Sequence, residues 1–327
     1  MAVSFSEVMA SLRGELDRVE AAIREHLRSD VALIGDIGGY LSGNGGKRVR
    51  PLLVLLSAKA CGYEGERSIT HSCVVEYIHT ASLLHDDVVD GAEKRRGWPS
   101  ANAKWGNEAS VLVGDYLFAK SFALMSRDAD PRILNAISQA TTHLSEGEVL
   151  ELVNLYNLSC SEEQYLDVVF RKTGALIEAS CRVGAILGGA SPAMEEALGA
   201  YGRQVGYAFQ LVDDVLDYTA DEARLGKPVG QDLREGKVTL PLLRLYQLAS
   251  PEEKGRLRAA VLEAEGVGEE ELAHLRNLMR ACGAIEYTLD RASAYVKAAK
   301  GHLSAMGDSY YVDGLRALAD YVVGRDS

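Results

Sequence analysis

Cysteine is sparse and poorly placed for covalent or metal chemistry. Cys61, Cys73, Cys160, Cys181 and Cys282 are scattered with no C-x-x-C pair, which argues against a disulfide framework or a zinc module and fits a reducing cytoplasm. Positive charge is also short. Against 47 Asp and Glu stand 35 Lys and Arg, a net charge of -12, so a broad nucleic-acid surface is not expected. Long apolar runs are missing: residues 183–194 are broken by Gly184, Gly188, Gly189 and Pro192, well short of the roughly 20 residues a membrane span needs. Glu7, Glu15, Asp17 and Glu20 interrupt the apolar positions near the N-terminus, unlike a signal peptide, and imply a mature, folded start. Seven prolines in 327 residues, with no sustained period-two alternation, leave little room for a β architecture.

What remains is helical. Val8, Leu12, Leu16, Val19 and Ile23 recur at spacings of three and four, the pattern of an amphipathic helix. Similar patterns predict helices over 31–41, from Pro51 to Cys61, and over 69–90, 107–126, 131–157, 162–189 and 194–219. Four or five more follow Pro241. The expected architecture is all-α, one large helical bundle spanning 1–327 around a central cavity, with no linker to divide it. The phenylalanines Phe118, Phe122, Phe170 and Phe209 are expected in its core. Three loops interrupt the helices: the glycine-rich, basic run 42–50, the polar run 91–100, and the charged run 220–239, whose length suits a closing element.

The helix over 69–90 ends in Asp86, Asp87 and Asp90, and the helix over 194–219 ends in Asp213, Asp214 and Asp217. Residues four apart share a helix face, so Asp86 and Asp90 point one way, with Ser82 and His79 continuing the stripe. Three carboxylates in little more than a turn repel one another and call for a cation. A hard divalent ion such as Mg2+ takes carboxylate oxygen and keeps places for water or phosphate. One such cluster is also what a solvated helix end looks like. Two, each closing an apolar helix and each followed by a basic loop, point instead to metal sites facing one another across a cavity.

The matching cations lie in the loops: Lys47, Arg48 and Arg50, then Arg95 and Arg96, Lys172, Lys227 and Lys237. Arg offers a planar fork for phosphate oxygens and Lys a point charge. Their placement beside the Asp clusters suggests two phosphate sites, one bridged by metal and one purely basic. His79, on the same face as Asp86, is a candidate ligand, whereas His85 points away from that stripe.

Six motifs in order, GGKRVRP at 45–51, HTASLLHDDVVD at 79–90, RRG at 95–97, KT at 172–173, FQLVDDVLD at 209–217 and GKPVGQD at 226–232, resemble those of the trans-prenyl (polyprenyl) diphosphate synthases. The resemblance implies the isoprenoid synthase fold, a homodimer and several Mg2+ ions, three with substrate bound. It implies that Asp86, Asp87, Asp90, Asp213, Asp214 and Asp217 hold the metal. Lys172 belongs with Asp86, Asp87, Asp90, Asp213 and Asp214 in the catalytic set. Arg95, Lys172, Thr173, Gln210, Lys227 and Lys237 would bind the allylic diphosphate; Lys47, Arg50, His79 and Arg96 would bind isopentenyl diphosphate. Asp232 would reach a metal through water.

In the short-chain members of that family, bulky aromatics four and five positions before the first Asp plug the product tunnel. Here those positions are Ser82 and Ala81, with Ile78 a turn below, so the resemblance implies a long product, octaprenyl (C40), for quinone side chains. Product release would involve only transient membrane contact. Two rival readings are a silent subunit of a heteromeric synthase, which should have lost carboxylates, and a terpene cyclase, which does not need Lys47, Arg50 and Arg96.

Overall fold

The computed structural model describes residues 3–43, 46–95, 97–219, 230–262 and 268–324. These form α1 Phe5–Ser11, α2 Arg13–His26, α3 Ala32–Gly43, α4 Val49–Ala60, α5 Arg67–Val89, α6 Ala101–Trp105, α7 Asn107–Asp128, α8 Pro131–Val153, α9 Glu162–Val169, α10 Ala175–Leu187 and α11 Pro192–Thr219. Beyond a short helix at Gln231–Arg234 come Leu240–Leu248, Pro251–Leu262, Glu269–Ala281, Ala284–His302 and Tyr310–Gly324. The all-α expectation holds. Helix starts follow from local chemistry: Ser4 with Glu7 and Ser161 with Gln164 form capping boxes, satisfying backbone N–H groups that lack a partner in the first turn. Among the described residues no helix is long and apolar enough to cross a membrane.

Three departures from the sequence reading matter. Residues 91–100 are not all loop, because β1 Lys94–Arg95 pairs antiparallel with β2 Trp98–Pro99. The single helix expected over 162–189 is interrupted by a π-helical turn at Phe170–Gly174. Phe122 is 41% exposed, and Phe118, Phe170 and Phe209 are half-buried, so none is the core residue expected: aliphatic side chains and the tyrosines Tyr77, Tyr201 and Tyr218 fill the cores instead.

The chain divides into two compact units, Met1–Thr141 with Leu176–Gly202 and Lys300–Ala319, and Thr142–Ala175 with Arg203–Ala299 and Asp320–Ser327. In the first, α5 runs along α7 and packs on α2, α4 and α6. Cys73, Val74, Val75, Ile78, Ala81 and Leu84 of α5 are fully buried, and each large aliphatic side chain so enclosed contributes about 2 kcal/mol. Buried donors are matched across the helices. The Tyr77 hydroxyl donates to the Ile23 carbonyl at 2.7 Å and the Ser110 hydroxyl to the Leu84 carbonyl at 3.0 Å. His85 lies against α7, its Nε2 3.1 Å from the Val111 carbonyl. It occupies a notch left by Gly114, where a Cβ would stand 2.3 Å from that nitrogen.

In the second unit, Leu158, Val215, Tyr218, Leu233, Leu242, Leu245, Leu272 and Met279 belong to one core cluster. This core holds the C-terminal half of α11 against the Gln231–Arg234 helix and the helices that follow.

Candidate functional site

The second unit carries the DDVLD sequence at the C-terminal end of α11. Of its carboxylates, Asp214 and Asp217 are 3% and 1% exposed, while Asp213 is half-buried. Asp214 accepts hydrogen bonds from the Tyr165 hydroxyl and, at 2.8 Å, from Gln210 Nε2. Burial, with the charges of Asp213 and Asp217 beside it, pushes the Asp214 carboxyl up to about 7. Asp217 is tied into the backbone: its Oδ2 accepts from the Asp232 N–H at 3.1 Å and its carbonyl from the Gly230 N–H at 2.8 Å.

The π-helical turn supplies the groups that face these. Thr173 donates its hydroxyl to Gln210 Oε1 at 2.8 Å, so Thr173, Gln210 and Asp214 form a continuous relay. Lys172 Nζ lies 2.8 Å from Glu148 Oε2 and 2.6 Å from Glu151 Oε2. Lys237 Nζ lies 2.7 Å from Glu235 and 3.8 Å from the same Glu151 oxygen. Glu151, Tyr165, Lys172, Thr173, Gln210, Asp214, Asp232 and Lys237 line one recess. π turns occur mostly as single insertions within α-helices, frequently at functional sites. This one brings two adjacent residues, Lys172 and Thr173, into the same recess.

The turn is held by close backbone approach. A Cβ on Gly147 of α8 would stand 2.6 Å from the Lys172 nitrogen, and one on Gly206 of α11 would stand 2.6 Å from Gly174 Cα. Neither position tolerates a side chain without displacing main chain.

In the first unit, Asp87 is 2% exposed and grips Arg95 of β1, with Nε at 2.9 Å and Nη2 at 2.7 Å from Oδ1. The short ribbon thus has a purpose, since it aims Arg95 back at α5. Asp86 and Asp90 are half-buried at the helix end. A smaller recess nearby is lined by Tyr40, Arg48, Glu76, His79, Asp87 and Arg95 together with Leu41, Thr80, Leu83, Pro99, Ser100 and Ala101. Lys47 is exposed and Arg50 half-buried; neither is part of that lining. Ile78 and Ala81 are 0% exposed and Ser82 is 7% exposed. Arg96 and Lys227, along with residues 220–229 of the expected closing loop, lie outside the described residues.

Residue chemistry alone does not single out Glu148, Glu151, Tyr165 or Glu76. Glu148 and Glu151 are three apart on α8 and therefore neighbours on one face, a weak signal; Tyr165 and Glu76 offer none. Because the Tyr165 hydroxyl meets a buried carboxylate, Tyr165→Phe is expected to cost about 2 kcal/mol of stability. The urea midpoint of unfolding, at unchanged m-value, reads this directly; no change in the midpoint would show that the bond carries no net energy.

Among the described residues, no three Asp, Glu, His or Cys side chains form a ready metal shell. The donor chemistry nonetheless suits a hard divalent ion: both motifs offer carboxylate oxygen only, and like charges crowd Asp214, a strain that a cation relieves.

Residues 31–279 match the polyprenyl synthetase family. Over 308 residues the chain is 44% identical to the octaprenyl diphosphate synthase of Escherichia coli (strain K12), covering 94% of this chain and 95% of that protein. It is 36% identical over 320 residues to the heptaprenyl diphosphate synthase component 2 of Bacillus subtilis (strain 168), with 98% and 90% covered. Among solved structures, a polyprenyl synthase from Caulobacter crescentus CB15, complexed with calcium and isoprenyl diphosphate, superposes with a TM-score of 0.95 at 38% identity, covering 100% of this chain and 99% of that one. Fold and comparisons together define a prenyltransferase of the all-α isoprenoid synthase class. The chain belongs to the polyprenyl synthetase family.

Proposed function

We propose that this protein is a long-chain trans-prenyltransferase that condenses an allylic diphosphate, such as farnesyl diphosphate, with successive isopentenyl diphosphates to give octaprenyl diphosphate for quinone side chains. The observation that carries the reading is the convergence of Lys172, Thr173, Gln210, Asp214 and Lys237 on one recess. Cations, a hydroxyl, an amide and a carboxylate together suit a diphosphate that leaves, and no nucleophilic Ser or Cys is required.

Mg2+, held by Asp86, Asp87, Asp90, Asp213, Asp214 and Asp217, would supply Lewis-acid stabilisation of the leaving diphosphate. Around it, Lys172, Lys237, Arg95 and Lys227 bind that anion and stabilise the charge that develops as the allylic carbon–oxygen bond breaks. Thr173 and Gln210 orient it through the relay that ends on Asp214. Lys47, Arg50, His79 and Arg96 hold isopentenyl diphosphate, whose double bond attacks the allylic cation; the departing diphosphate takes the proton lost. Asp86, Asp90 and Asp213 are half-buried, whereas Asp87, Asp214 and Asp217 are almost fully enclosed.

The whole of 1–327 acts as a single domain in this reading, supported by a chain that changes unit within helices α8 and α11. A homodimer is supported by exposed apolar side chains along two helices, Leu112 (67%) and Phe122 of α7 and Val149, Leu152 and Val153 (72%) of α8. Rows of this kind mark protein contact surfaces. A cytoplasmic enzyme, touching membrane only to release product, fits the scattered cysteines and the absence of a polybasic anchor.

Incubated with Mg2+, farnesyl diphosphate and labelled isopentenyl diphosphate, the purified protein is expected to yield C40 polyprenyl diphosphate on chromatography; no product beyond C15 would overturn the reading. Product length is set by Ile78, Ala81 and Ser82 on α5. Accordingly, Ser82→Phe is expected to shift the product to shorter chains, and an unchanged chromatogram would remove that residue from length control.

A further inference from the structure

The run 46–50 reads in sequence as one cationic patch, Lys47, Arg48 and Arg50, yet the structure separates its members. The Arg48 side chain is only 13% exposed and lies between two carboxylates, Glu20 of α2 and Glu76 of α5. Its Nε donates to Glu20 Oε1, and Nη1 donates to Glu76 Oε1 at 2.7 Å. Glu76 is itself 9% exposed at its side chain. Such a guanidinium, enclosed and matched by two anions, offers little to an incoming phosphate.

The backbone at the same residue is unusual. Arg48 has φ 45 and ψ 42, in the left-handed region, and it caps the start of α4, its carbonyl accepting the Leu52 N–H at 2.9 Å. A residue with a Cβ seldom adopts that conformation and keeps it only where its surroundings fix it. Two ion pairs to two different helices are that fixing. Lys47 immediately before this turn is exposed, and Arg50 two residues after it is half-buried. Arg48 and Glu76 also form part of the wall of the recess shared with His79 and Arg95, and Glu76 lies one helical turn before His79.

We propose that Arg48 is a positioning residue for the isopentenyl diphosphate site: clamped by Glu20 and Glu76, it sets the left-handed turn that presents Lys47 and Arg50, and it does not itself bind phosphate. The proposal rests on the assignment of Lys47, Arg50 and His79 to that substrate.

The test is steady-state kinetics on Arg48→Met, Arg48→Lys, Glu76→Gln and the double variant Arg48→Met with Glu76→Gln, with each substrate varied in turn. Loss of the clamp is expected to raise KM for isopentenyl diphosphate about tenfold in both Arg48→Met and Glu76→Gln, a single decade of affinity. KM for the allylic starter should stay within about twofold, since Lys47 and Arg50, which the clamp presents, are assigned to isopentenyl diphosphate alone. The double variant should be no worse than either single, because residues acting as one unit are not additive, and Arg48→Lys should fall between wild type and Arg48→Met. If Arg48 binds phosphate directly, Glu76→Gln frees it and KM for isopentenyl diphosphate stays level or falls while Arg48→Met still raises it; that result overturns the proposal. So does an unchanged KM in both singles. Should Arg48→Met fail to fold, Arg48→Lys and Glu76→Gln decide between the same outcomes. A wild-type enzyme that elongates nothing would instead mark failure of the substrate assignment.

Discussion

Asp86→Ala is expected to lower turnover by on the order of 10³-fold, equivalent to about 4 kcal/mol of lost transition-state stabilisation, with the fold intact. The two halves of this expectation have separate physical sources. Asp86 sits half-buried at the C-terminal end of α5, where the helix macrodipole is negative and a carboxylate is unfavourable. Asp87 and Asp90 add like charge beside it. The side chain is half-buried at a helix end, so truncating it removes little packing and the thermal midpoint should shift little. Asp87→Ala is a different experiment, because Asp87 is buried and holds Arg95: it should lose both turnover and stability. Turnover and calorimetry on the two variants separate these effects, and near-normal turnover in Asp86→Ala would take that residue out of the mechanism.

The second large effect is expected at a residue with no functional group. In Gly206→Ala the new Cβ stands 2.6 Å from Gly174 Cα, and in Gly147→Ala it stands 2.6 Å from the Lys172 nitrogen. Both collisions are with backbone, so no rotamer change relieves them. The π-helical turn must move, at a cost of about 1–3 kcal/mol, and Lys172 and Thr173 move with it. KM for the allylic starter is expected to rise by about tenfold or more, since a displacement near 1 Å in a positioning element costs up to ~10² in rate. Gly39→Ala is the control, because nothing lies within 4 Å of the added carbon; it should be neutral or mildly stabilising as a helix substitution. Equal behaviour of Gly39→Ala and Gly206→Ala would show that close approach at the turn is unimportant.

The same turn marks where sequence reading stops. Helices α5 and α11 were legible because apolar side chains recur at helical spacing, and the Asp clusters because like charge at helix ends is unfavourable without a partner. A π turn leaves the apolar pattern of 162–189 readable as one helix, so the insertion at Phe170–Gly174 was invisible; the room it needs is left on two other helices, at Gly147 and Gly206. Charge type was legible at Lys47, Arg48 and Arg50, but charge availability was not, because it depends on Glu20 and Glu76, distant in sequence. Phe122 looked like core by residue type, and only tertiary packing shows it facing outward. Tyr165 gave no sign of its role because a hydroxyl acquires one only when a carboxylate is placed against it.

Glu151 has a further consequence. Its Oε2 serves both Lys172 and Lys237, so the cationic wall of the recess carries its own counter-ion. A diphosphate arriving there exchanges one anion for another and does not simply enter a positive field. The net gain is the difference between two pairings, and an anion no more highly charged than a carboxylate gains almost nothing by the exchange. A phosphate group, carrying about 1.5 to 2 negative charges at neutral pH, would gain by that exchange where a carboxylate ligand would not.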